Sequence, residues 1–226
     1  MIRAVIFDFD GVIADSEPRH FAAFRDVLQQ QEVALSEQDY YSLYLGYDDA
    51  GVFRQVSRDR GRAWSGERVT ELVDRKAARL EEIERGASAL FPGAESAIRR
   101  LAATLPLGIA SGARRAEIHH VLERSGLTRC FGAIVGAEDV TASKPAPDPY
   151  LRAISLLAAA VGQPLAPIEC AAVEDSRWGL ESARAAGLHT IAVTHTYPAA
   201  ELGSADLVIA TLDALDLATL GKIATI

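Results

Sequence analysis

Cysteine is nearly absent: Cys130 and Cys170 are the only two in 226 residues, far apart and outside any CxxC spacing. That argues against a disulfide scaffold and against a thiolate zinc site, and free thiols fit a reducing compartment. Positive charge is in deficit, with 23 Lys and Arg against 31 Asp and Glu and a formal net charge of −8. A general nucleic-acid binder needs a positive footprint, so no nucleic-acid partner is expected, and an anionic ligand would need a local cationic pocket. No apolar run approaches the roughly 18 residues that a membrane span requires. No signal-peptide pattern precedes the first apolar segment, and there is no internal repeat or low-complexity tract. The expectation is a cytoplasmic protein with no membrane contact.

What is present is an ordinary globular composition, 49% hydrophobic and 24% charged, at a length that suits a large core or a core with a smaller inserted domain. The first apolar run, Ala4 to Phe7, is short and partly β-branched, as a strand buried on both faces of a parallel sheet should be. It ends in Asp8 and Asp10, followed by Gly11. Two acids there are either a capped strand end with solvated carboxylates or the start of a reactive centre, since ligands of open α/β sheets bind at the C-terminal ends of the strands. Gly11 permits a turn with positive φ or a close approach to a ligand.

Ser16 is placed to cap a helix that begins with Glu17 and Pro18 and repeats Phe21, Phe24, Val27 and Leu28 at helical spacing. Helical patterns then occupy roughly 36–45, 48–60 and 67–84, broken at Gly46, Gly51, Gly61 and Gly66, with no convincing strand. Lys76 falls on the apolar stripe of the last of these, with Val69, Leu72, Val73, Leu80 and Ile83. Either its ammonium snorkels outward or it faces a cleft and meets an anionic substrate.

From Phe91-Pro92-Gly93 onward, strands alternate with helices. Strands are expected at 107–110, 133–135, 171–173, 190–193 and 207–209, and later helices near 147–161, 176–186 and 212–219. The expected fold is therefore an α/β, doubly wound parallel-sheet (Rossmann-like) core formed by 1–15 and 88–226, with an inserted all-helical cap domain at 16–87.

The polar candidates share one location, each following a strand. Ser111-Gly112 offers a hydroxyl and backbone N–H groups ahead of a helix, a plausible anion cradle. Lys144 sits in a loop stiffened by Pro145, Pro147 and Pro149. Glu174-Asp175-Ser176 ends a buried strand; with Asp8 and Asp10 nearby, the two acids would form a hard-oxygen site suited to Mg²⁺. A carboxylate nucleophile, a second acid, a hydroxyl, a lysine and Mg²⁺ together suit phosphoryl transfer through an aspartyl phosphate.

Taken in order, Asp8-Phe9-Asp10-Gly11-Val12, Ser111, Lys144 and Glu174-Asp175 resemble the four motifs of the haloacid dehalogenase superfamily, in its phosphatase and phosphomutase branch. The resemblance implies that Asp8 attacks phosphorus and that Asp10 is first acid and then base. It implies Mg²⁺ held by Asp8, the Asp10 backbone carbonyl and Asp175, with Glu174 close by, and a phosphoryl group held by Ser111, Gly112 and Lys144. Dehalogenases proper lack the second aspartate, so Asp10 argues against that activity. A cap that closes over the site would select the substrate, and Glu17, His20 and Lys76 resemble substrate-facing cap positions; His20 is equally readable as an ordinary helix histidine. Where β-phosphoglucomutase relatives carry a loop of the type Gly-Val-Ser-Arg, the corresponding region here resembles Leu45-Gly46-Tyr47-Asp48-Asp49, acidic where a second phosphate needs a cation.

The leading expectation is a phosphatase acting on a small phosphorylated metabolite, with a phosphomutase and a catalytically silent binding module as alternatives. Monomer and homodimer both fit. Arg177-Trp178 is unassigned, with Trp178 either packing under the site or marking an interface.

Overall fold

The residues of the first apolar run divide by parity. In the computed structural model, which describes residues 1–45, 47–84 and 90–223, Val5 and Phe7 enter one hydrophobic cluster while Ala4 and Ile6 enter another. A strand covered on both faces requires that split. This strand, β1 (Ala4–Phe7), is followed by β2 (Leu107–Ala110), β3 (Phe131–Val135), β4 (Cys170–Glu174), β5 (His189–Val193) and β6 (Leu207–Ile209). They form one sheet in the order β3-β2-β1-β4-β5-β6, with every neighbouring pair parallel. The chain winds outward from β1 to β3 and then returns to β4 beside β1. The crevice of this sheet thus falls at the C-terminal ends of β1 and β4.

The helices are α1 (Glu17–Gln29), α2 (Glu37–Asp39), α3 (Asp49–Asp59), α4 (Gly66–Glu84), α5 (Ala94–Ala102), α6 (Arg115–Arg124), α7 (Asp148–Val161), α8 (Arg177–Ala185) and α9 (Leu217–Ile223). The chain divides into two compact units, 1–15 with 89–226 and 16–88. The expected boundary between 87 and 88 lies outside the described residues, as do Gly46 and the end of the tail. In the sheet unit, Ile98 and Leu101 of α5, Ile118 and Leu122 of α6 and Leu220 of α9 cover one face. Tyr150, Ile154 and Leu157 of α7 and Ala183 of α8 cover the other. Among the described residues, no helix is long and apolar enough to cross a membrane.

The helix expected at 212–219 is instead a 3₁₀ turn, Leu212–Ala214, followed by α9. Leu215 is extended, and the Asp216 carboxylate accepts from the Thr219 N–H at 2.8 Å, which caps a new helix rather than continuing the old one.

The helical unit packs α1, α3 and α4 around Phe24, Leu28, Phe53, Val56 and Leu72. Three expectations are corrected there. Ser16 makes no side-chain cap bond, because its backbone is already helical at φ −82° and ψ −31°. Gly51 and Gly66 lie inside α3 and at the start of α4 rather than breaking a helix. The Gly51 N–H is held by the capping carboxylate of Asp48 at 2.7 Å. The segment 36–45 begins as α2, capped by Ser36, and widens into a π-helical turn at Tyr40–Tyr44. Both tyrosines are buried there, with the Tyr40 hydroxyl donating to Glu17 and that of Tyr44 to Asp59.

Candidate active site

Phe7 pairs with Val173, so Asp8 and Glu174 leave adjacent strands at the same level. Lys144 joins them, its ammonium 2.9 Å from Asp8 Oδ1 and 2.6 Å from Glu174 Oε1. Asp8 Oδ1 also accepts the Phe9 N–H at 2.7 Å. Glu174 is fully buried, and the side chains of Asp8 and Lys144 are 13% and 14% exposed. Burial opposes the charged form of Lys144, but Asp8 and Glu174 outweigh it and hold the ammonium above the ordinary lysine range. Burial and then Asp8 push the Glu174 carboxyl up to about 7, against the pull of Lys144.

Asp175 follows immediately and is buried. Burial first and the Asp8 charge second raise its carboxyl to about 7, with a hydrogen bond to Thr196 opposing. Gly11, at φ +74°, is required here, because a Cβ on it would lie 2.0 Å from Asp175 Oδ2. Asp8, Glu174 and Asp175 each present a carboxylate oxygen, all within 4.8 Å of one another. Three hard oxygen donors crowded against a single ammonium, with two of them pushed toward protonation, fit a divalent cation of the Mg²⁺ type.

Ser111 leaves β2 beside β1 and is buried at 3% exposure. Its Oγ accepts the Ala113 N–H at 3.0 Å, a turn contact that leaves the hydroxyl proton to donate elsewhere. Gly112 is exposed, with nothing within 4 Å of an added Cβ. Asp10 is partly buried and forms a bridge with Ala14; its carboxylate is not among the three clustered acids. Trp178 does not pack under the site: it is 45% exposed, with the Arg177 guanidinium stacked 4.5 Å from its ring.

Sequence reasoning missed four neighbours. Thr196 and His195 follow β5, and His195 Nδ1 contacts the Gly11 carbonyl at 3.0 Å while its ring stacks on Phe91. Their place after a strand was the available signal. Tyr150 and Gly179 both approach Glu174, and neither carries a mark that separates it from a core aromatic or a helix glycine.

The three cap candidates lie together within the helical unit. Lys76 does not snorkel: it is 1% exposed, with Nζ 2.8 and 2.9 Å from the Asp49 oxygens, 3.0 Å from His20 Nδ1 and 4.7 Å from the Phe24 ring centre. Asp49 is therefore a paired group at the start of α3, and Asp48 is a helix cap, rather than two loop charges aimed at a ligand. Burial raises the Glu17 carboxyl, with Tyr40 and Lys76 opposing. Burial, followed by the adjacent Lys76 charge, lowers the His20 pKa to about 4. Unfolded His20 takes up its proton near the ordinary 6.5, so the unfolded chain binds more protons and stability falls as pH drops from about 6.5 to about 4. Wild type is expected to lose up to about 3 kcal/mol relative to His20→Gln across that window. Urea unfolding of the pair at several pH values measures it, and a pH-independent difference would contradict the assignment.

Fold and site together define a doubly wound α/β enzyme with a carboxylate and lysine centre where the strand order reverses. The family model described as haloacid dehalogenase-like hydrolase matches residues 5–193, and the chain belongs to that family. It is 33% identical over 206 residues to Protein CbbY of Rhodobacter capsulatus, covering 87% of each chain. Over 199 residues it is 30% identical to fructose-1-phosphate phosphatase YqaB of Escherichia coli, covering 84% of this chain and 95% of that one. The crystal structure of β-phosphoglucomutase from Clostridium difficile superposes with a TM-score of 0.78 at 23% identity, over 100% of this chain and 98% of that one, a likeness of fold.

Proposed function

We propose that the protein is a Mg²⁺-dependent phosphatase that hydrolyses a small phosphorylated metabolite, of the sugar phosphate or phosphoglycolate type, through an aspartyl phosphate on Asp8. The observation that carries this reading is the meeting of Asp8, Lys144, Glu174 and Asp175 at the reversal of strand order, in a chain of a hydrolase family. The phosphatase among its relatives supports the substrate class.

In this reading the Asp8 carboxylate forms a bond to phosphorus as the bond to the leaving oxygen breaks. Asp10 gives that oxygen a proton and afterwards takes one from the water that hydrolyses the aspartyl phosphate. Lys144, held by Asp8 and Glu174, faces the transferring oxygens together with the Ser111 hydroxyl and the Gly112 backbone. Mg²⁺ would be held by Asp8, Glu174, Asp175 and the Asp10 carbonyl, and when bound it supplies positive charge opposite the phosphoryl oxygens. Glu17, His20 and Lys76 are assigned to substrate selection.

The test is inorganic phosphate release from a panel of sugar phosphates, phosphoglycolate and nucleotides, with Mg²⁺ or with EDTA. Release that needs Mg²⁺ is expected. Transfer to a second sugar hydroxyl without release would favour a mutase, and neither reaction in Mg²⁺-bound protein would favour a silent module.

A further inference from the structure

Tyr150 is a fully buried residue in the first turn of α7. Its ring packs with Ile154 and Leu157 in the cluster behind the sheet, a task that a phenylalanine would perform equally well. The hydroxyl does something else. It donates to Glu174 Oε1 at 2.6 Å, the same oxygen that Lys144 Nζ reaches at 2.6 Å. The Lys144 ammonium also lies 5.2 Å from the Tyr150 ring centre. A Cβ at Gly179 would fall 2.0 Å from the Glu174 carboxyl carbon and from each of its oxygens, so α8 presses directly against the carboxyl group.

A carboxylate oxygen has about two lone-pair positions. Two donors at 2.6 Å therefore fill Oε1, whereas among the described residues the hydrogen bond to Oε2 comes from the Ser176 hydroxyl at 3.4 Å, at the outer limit of such a bond. We propose that Tyr150 is a positioning residue: with Lys144 it saturates Oε1 of Glu174, locks that oxygen to the lysine, and leaves Oε2 as the oxygen offered to the cation. The inference rests on the phosphatase reading for the identity of the cation.

The experiment compares wild type, Tyr150→Phe, Glu174→Ala and the double variant by calorimetric titration with Mg²⁺, by kcat and KM for phosphate release, and by the unfolding midpoint in EDTA. Tyr150→Phe is expected to weaken Mg²⁺ binding about tenfold and to lower kcat with KM nearly unchanged. Its midpoint in EDTA should stay close to that of wild type. In the Glu174→Ala background the same change should have no further effect on Mg²⁺ affinity. Unchanged Mg²⁺ affinity in Tyr150→Phe, or the full loss persisting without Glu174, would overturn the positioning role and leave the phosphatase reading standing. Failure of wild type to bind Mg²⁺ would overturn both.

Discussion

Asp8→Asn is expected to lower turnover by at least about 10⁴-fold, because the amide keeps the shape of the side chain and loses its nucleophilicity. An amide oxygen can still accept the Phe9 N–H that Oδ1 holds at 2.7 Å, and Lys144 still has Glu174 at 2.6 Å. The variant should therefore fold normally, which separates loss of chemistry from loss of structure. Phosphate release and the urea midpoint, measured on the same preparation, check both halves. Turnover within tenfold of wild type would remove Asp8 from the chemistry.

Lys144→Met is expected to abolish turnover and also to destabilise the protein by about 3 kcal/mol in EDTA. Methionine keeps the apolar stem and removes the ammonium that answers both Asp8 and Glu174. Removing one partner of a buried ion pair leaves the other charge uncompensated, which costs roughly 3–5 kcal/mol. The lower end applies because the Lys144 side chain keeps 14% exposure. Mg²⁺ should restore part of the loss, since a ligand that binds only the folded state stabilises it. Urea unfolding in EDTA and in Mg²⁺ gives both numbers, and an unchanged midpoint in EDTA would sink the view that the lysine holds the two acids together.

The sheet was legible because buried strands leave a blunt signal. The runs at 4–7, 107–110 and 207–209 match the observed strands, β3 and β5 differ from the expected spans only by added residues at their N-terminal ends, and β4 gains one residue at each end. The acids and Lys144 were legible because strand ends concentrate ligands. Features set by contacts distant in sequence were not. The burial of Lys76 depends on Asp49 and His20, which are 27 and 56 residues away in the chain. The π-helical turn serves two tyrosine hydroxyls that reach Glu17 and Asp59, and periodicity cannot register such partners. Tyr150 gave no signal of its own, because its ring is core and only its hydroxyl reaches Glu174.

The central place of β1 has a consequence for how the chain is made. Its neighbours β2 and β4 begin at Leu107 and Cys170, so β1 leaves the ribosome ahead of both and waits for the partners on either side. At roughly 5–20 residues per second that delay lasts on the order of ten seconds or more. The helical unit at 16–88 is contiguous and has all its own residues available earlier. A nascent chain stopped anywhere before Glu174 carries Asp8 without the strand that completes its centre, so the carboxylate cluster comes into being only after the chain has been made through Asp175.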